Sequence, residues 1–269
     1  MTSQQSIESG LTNKDSKIRE QTARQLDFTP TPQQVERGLT DSSGWVRQAW
    51  AERMDYVPTS EQIERGMSDP YSPVRSTWAR RMDWTPTPAQ IKKGLDDEDR
   101  HVRMAWAERK DFTPDSYCIE KGMEDEYSVI RMMWAMRDDF TPNSHHIEKG
   151  MRDEDGHVRL MWAERMDFTP TSEQSEVGLT DRDDLVRLTW AEREDFTPTL
   201  EQAERGVRDE YLKVALAWLN RSDVHWPEEL IREGLQSHDT DLRQAWERVM
   251  QTRNEQSTDC SDDYSIFAI

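Results

Sequence analysis

The residues from which a catalytic or metal centre could be assembled are few. Six histidines (His101, His145, His146, His157, His225 and His238) and two cysteines (Cys118 and Cys260) make up the whole supply of soft ligands and imidazole bases. No histidine lies in an HExxH arrangement, and the chain has no phosphate-binding loop, nucleophile elbow or dinucleotide glycine motif. Cys118 and His146 stand one 28-residue step apart with His145 alongside, a pair that could begin a zinc site, but no fourth donor is evident. Paired carboxylates abound, yet among 54 acidic residues such pairing singles out nothing. The sequence therefore points to no catalytic residue, no metal and no cofactor.

What it has in quantity is guanidinium matched to carboxylate. Arg47, Arg75, Arg103, Arg131, Arg159, Arg187 and Arg243 recur in one phase, interrupted by Ala215, and Asp41, Asp69, Asp97, Asp125, Asp153, Asp181 and Asp209 recur in another. A second set sets Arg53, Arg81, Arg109, Arg137, Arg165, Arg193 and Arg221 beside the Asp55 series. A cationic stripe could grip phosphate or carboxylate. The one-to-one recurrence of acid with base predicts instead that each guanidinium is held by an aspartate of its own or the next repeat.

Such ladders require a repeating frame, and the frame is explicit. Glycine recurs every 28 residues from Gly10 to Gly234, tryptophan from Trp50 to Trp246 and aspartate from Asp27 to Asp223, without one insertion. In residues 29–56, Thr31 is an N-cap with Gln34 completing a capping box, and Pro32 suits the first helical position. Gly38 suits a left-handed position closing that helix. Asp41 is expected to cap a second, longer helix carrying Trp45, Val46, Ala49, Trp50 and Met54 on one face. The core is predicted at positions 35, 39, 46, 50 and 54 of each copy. Neither short helix can bury its apolar face alone, so the copies must stack. The fold class is all-α, a superhelical α-solenoid of nine two-helix repeats: 1–28, 29–56, 57–84, 85–112, 113–140, 141–168, 169–196, 197–224 and 225–252.

The run Asp41, Val46-Arg47, Ala51 and Asp55, with turns of the Thr29-Pro30 type, resembles HEAT-like repeats and the related variant leucine-rich repeats. The resemblance covers residues 1–252. It implies a superhelical helix-pair fold and, as the common use, a binding scaffold.

Function is expected where the copies differ, in the turns after the Asp41 series and along the middle helices. Trp45, Tyr71, Tyr127 and Tyr211 are candidate partner contacts there, since aromatics carry interface energy. Charge narrows the choice. Residues 1–112 hold 18 acidic and 17 basic side chains, residues 113–196 hold 21 and 10, and the chain as a whole carries −19. Glu126, Glu154, Asp155, Asp183 and Asp184 in the acidic middle accompany Met132, Met133 and Met136. An adaptable methionine surface ringed by carboxylates suits a basic, amphipathic protein segment. The same charge disfavours direct binding to nucleic acid or an anionic membrane. Regular acidic spacing also admits mimicry of nucleic acid.

Two other readings remain open: a HEAT-like glycosylase working on a flipped base, and an assembly spacer. The spacer would dock through an acidic tail, residues 253–269, ending in Phe267 and Ile269. With no secretory segment at the start and no disulfide framework, the expected compartment is cytoplasmic.

Overall fold

The computed structural model describes the backbone of residues 3–262 and the side chains of residues 4–255, and all secondary structure among them is helical. They divide into two compact units at the 140/141 boundary. The first unit contains α1 (Ser3–Leu11), α2 (Ser16–Ala23), α3 (Pro32–Leu39), α4 (Gly44–Ala51), α5 (Ser60–Gly66), α6 (Ser72–Arg80), α7 (Pro88–Leu95), α8 (Arg100–Glu108), α9 (Ser116–Met123) and α10 (Ser128–Ala135). The second contains α11 (Ser144–Met151), α12 (Gly156–Ala163), α13 (Ser172–Leu179), α14 (Asp184–Glu192), α15 (Leu200–Gly206), α16 (Leu212–Leu219), α17 (Glu228–Gly234) and α18 (Thr240–Asp262). Odd-numbered helices open each 28-residue period and even-numbered helices close it.

The first helix of each period starts as its sequence dictates. Thr31 accepts from Gln34 N at 3.3 Å while the Gln34 amide oxygen accepts from Thr31 N at 2.9 Å, and Pro32 occupies the first turn. The same box recurs at Thr59, Thr87, Thr171 and Thr199, and Asn143 with His146 forms a variant of it. The capping glutamine has a second use. Gln34 Nε2 reaches Glu8 of the preceding repeat at 2.9 Å, as Gln202 reaches Glu176 at 3.0 Å.

Each even-numbered helix from α4 onward buries its tryptophan against the glycine of its own first helix. Trp50, Trp78, Trp106, Trp134, Trp162, Trp190 and Trp218 are among the most deeply buried side chains of the chain. Val46 and its equivalents, together with Val35 and Leu39, complete the layer. Within each unit the even helices pack side by side in sequence, α2 to α4 to α6 to α8 to α10, and α12 to α14 to α16 to α18.

Four expectations are corrected. Gly38 lies inside α3, and no described glycine has positive φ; the space it leaves is taken by Trp50. The helix after Asp41 is no longer than its partner and ends at Ala51. Its N-cap residue is Ser43, and Asp41 instead accepts from Ser43 N at 2.8 Å to hold the entering turn. Because α4 stops early, position 54 leaves the apolar face: Met54 is 61% exposed and Met82 and Met166 are exposed likewise, whereas Arg53 is buried. At the other end, α18 carries helix through Asp262, beyond where the repeat pattern stops at Arg253. Phe267 and Ile269 lie outside the described residues.

Candidate functional site

Both arginine ladders are occupied by folding. Arg47 meets Asp69 of the next repeat through two parallel bonds, Nε to Oδ2 at 2.6 Å and Nη2 to Oδ1 at 2.7 Å, while Nη1 donates to the Asp41 carbonyl. Arg75 and Asp97, Arg103 and Asp125, Arg159 and Asp181, and Arg187 and Asp209 repeat this forward clamp. Arg53, Arg81, Arg109, Arg137, Arg193 and Arg221 point the other way and hold the aspartate two residues on. A cation stripe for phosphate is therefore not displayed by these residues.

The turn residues singled out by sequence have mixed fates. Trp45, in the first turn of α4, is 55% exposed and meets Tyr71 edge to face at 5.3 Å. Tyr127 is exposed at the start of α10 but lies under Arg100, whose guanidinium carbon is 5.0 Å from the ring centre. Tyr211 is half-buried at the start of α16, with Lys213 Nζ 6.0 Å from its ring. Glu126 pairs with Arg103 at 3.1 Å. Asp155 and Asp183 act as N-caps, accepting from His157 N and Leu185 N, each at 2.9 Å. Glu154 and Asp184 are exposed beside them. Trp45 and Tyr71 are thus brought together by the fold.

A more coherent surface lies along the even helices. On α10, Val129, Met132, Met133 and Met136 follow one another at helical spacing; Val129 and Met136 are exposed and the other two half-buried. On α8, Met104 is half-buried at the position matching Met132. In the second unit the matching side chains are Leu160 and Met161 on α12, Leu185 and Leu188 on α14, and Leu216 on α16, all half-buried or exposed. Sequence reasoning found the methionines and missed the leucines. The signal was available: one phase reads Glu20, Gln48 and Ser76, then Met104, Met132, Leu160, Leu188 and Leu216.

Carboxylates edge this stripe. In the first unit, Glu52 is paired by Arg24, and Glu108 by Arg80 at 3.5 Å. At the same phase in the second unit, Glu164 and Glu192 are exposed and take no ion-pair partner among the described residues; the residues one period before them are Met136 and Glu164, not arginines. Their charges stand unneutralised at the C-terminal ends of α12 and α14.

The described residues offer little for chemistry. No group of three or more His, Cys, Asp and Glu side chains among them is placed to hold a metal ion. Cys118 is buried in α9, with burial and its contact to Asp115 pushing the thiol up to about 11. His146 belongs to the Asn143 capping box. No described helix is long and apolar enough to cross a membrane.

No protein-family model matches the sequence, and no curated protein matches it. Among solved structures, one described as a leucine-rich repeat variant with a novel repetitive protein structural motif is similar. It has a TM-score of 0.59 and 21% identity, over 88% of this chain and 87% of that one. At that identity the likeness concerns the fold, and the fold is shared: this chain is an all-α solenoid of 28-residue helix pairs.

Proposed function

We propose that this chain is a non-catalytic protein-binding scaffold whose even-helix face engages a basic, amphipathic segment of a protein partner. One observation carries the reading. In the second unit, Leu160, Met161, Leu185, Leu188 and Leu216 form an apolar stripe bordered by Glu164 and Glu192, which no described cation neutralises. Solvent-facing leucines at helical spacing lose free energy unless covered, at roughly 25 cal/mol per Å². Unpaired acids at their edge attract a cover of opposite charge and steer its approach. Solenoids present extended surfaces of this kind, and their common use is binding. The methionines of α10 and the acidic residues Glu154 and Asp184 extend the same chemistry within their own units. The cytoplasm is the proposed compartment, in keeping with the free, buried thiol of Cys118.

The test titrates the full chain with a synthetic amphipathic helix of leucine and lysine at low and at physiological salt. Binding that weakens with salt, and falls at least about tenfold in Glu164→Lys/Glu192→Lys, supports the assignment. Equal binding by that double variant, or by Leu188→Asp, refutes it.

A further inference from the structure

The Arg53 series does more than hold its own aspartates. Arg53 Nη1 donates to the Ala23 and Gln25 carbonyls at 2.7 and 2.5 Å, and Nη2 to the Phe28 carbonyl at 2.9 Å, with the guanidinium carbon 4.5 Å from the Phe28 ring centre. Arg109 does the same with Ala79, Arg81 and Trp84 at 2.8, 2.7 and 3.0 Å. In the second unit, Arg193 reaches Ala163, Arg165 and Phe168 at 2.8, 2.6 and 3.2 Å, and Arg221 reaches Ala191, Arg193 and Phe196. A common socket results. Three carbonyls at the end of an even helix and an aromatic ring receive an Arg-x-Asp segment from the following repeat.

One step later the socket consists of the Leu219, Arg221 and Val224 carbonyls, and no described residue fills it. The residue due to enter is Val249, the ring is replaced by Val224 and the aspartate by Gln251. Here α18 also runs straight on rather than turning. A cleft of about 450 Å³ opens at this place, lined by Leu219, Val224, Trp226 and Val249 and also by Arg248 and Arg253. Both of those arginine side chains are exposed and take no partner among the described residues. Trp226 is buried, and its indole N–H meets no acceptor there.

We propose that this cleft binds an Arg-x-Asp segment of another protein, its guanidinium on the carbonyls of Leu219, Arg221 and Val224 and its carboxylate on Arg248 and Arg253. The end of α16 presents the negative pole of a helix dipole, which favours a cation. A guanidinium has the donors to serve several carbonyls at once, which an ammonium serves less well. The two rim arginines repel a bare cation, so they select a ligand that brings its own acid. The ladder arginines of a second copy, such as Arg53, Arg109 and Arg193, are buried and unable to enter the cleft. The site involves neither Glu164 nor Glu192, so its fate and that of the even-helix face are separable.

The test uses the full chain with 15N-labelled tryptophan and the blocked peptide acetyl-Glu-Arg-Met-Asp-amide, the sequence of residues 52–55. The expected result is a saturable shift of the Trp226 indole signal, absent when citrulline replaces the arginine. Val249→Arg/Gln251→Asp fills the socket from within and should weaken binding at least about tenfold without lowering Tm. If that variant does not fold, Val249→Lys sends an ammonium to the same carbonyls and should also compete. Glu164→Lys/Glu192→Lys should leave the peptide's affinity unchanged. Undiminished binding to the filled chain, equal binding of the citrulline peptide, tighter binding of benzoate, or no shift at millimolar peptide overturns the proposal.

Discussion

A methyl group built on Gly94 would lie 1.9 Å from the indole nitrogen of Trp106, twelve residues further along the chain. The glycine is there because two helices cross against a tryptophan with no room for a side chain. Gly94→Ala must therefore push Trp106 out of its pocket or part α7 from α8. We expect a loss of about 3 kcal/mol, at the upper end of ordinary overpacking, read by urea unfolding. A loss below about 0.5 kcal/mol would mean that the tryptophan has slack.

Arg109 is 2% exposed, and its removal strands several partners together: the carbonyls of Ala79, Arg81 and Trp84, and the Asp111 carboxylate. Breaking a buried pair from one side leaves the other charge uncompensated. Arg109→Met should cost about 3–5 kcal/mol, and Arg109→Met/Asp111→Asn less than the single change. Denaturant midpoints of the two variants decide this; an equal or greater loss in the double variant would argue against it.

Acid should weaken the forward clamp. Burial pushes the carboxyls of Asp41 and Asp209 up, but Arg19 and Arg187, with the N–H groups of Ser43 and Tyr211, outweigh it and hold both below the usual aspartate range. A carboxyl with a lowered folded pKa contributes stability above its unfolded value of about 3.9 and loses it as pH falls through the folded value. Thermal melts should be flat from pH 7 to about 5 and then drop. Asp209→Asn should lie below the parent at pH 7 and converge with it as the pH falls through the lowered folded value.

Cys118 should be sluggish toward thiol reagents. With its thiol pushed up to about 11, little thiolate exists at pH 8, and the residue is buried as well. In Cys260→Ser, reaction of the native chain with an aromatic disulfide should run at least about a hundredfold slower than in denaturant. Similar rates in the two conditions would place Cys118 at the surface.

Periodicity made much of this legible. Thr31 with Gln34, the tryptophan row and the matching of arginine to aspartate each followed from chemistry repeated in phase. The errors have one origin: helix ends are set by contacts rather than by period. Position 54 looks apolar-faced only if α4 continues past Ala51, and Gly38 looks like a stop only if Trp50 is ignored. Leu160, Leu188 and Leu216 went unnoticed because an outward leucine reads like a core leucine until burial is measured. The open socket had a signature too, since Val249 follows seven arginines in its phase and Val224 follows seven aromatics.

The boundary before the last repeat lacks both kinds of clamp. Ala215 and Ser237 stand where Arg187 and Asp209 pair one period earlier, and Val249 stands where Arg221 reaches back. At the opposite end, Arg19 holds Asp41 and Arg53 holds the carbonyls of Ala23 and Gln25. In an array stabilised through nearest neighbours, fluctuations concentrate at the loosest joint. Under load, α17 and α18 would part from α16 more readily than α1 and α2 part from α4, giving the polypeptide a mechanical direction: a firm head and a looser end that an incoming arginine could stitch shut.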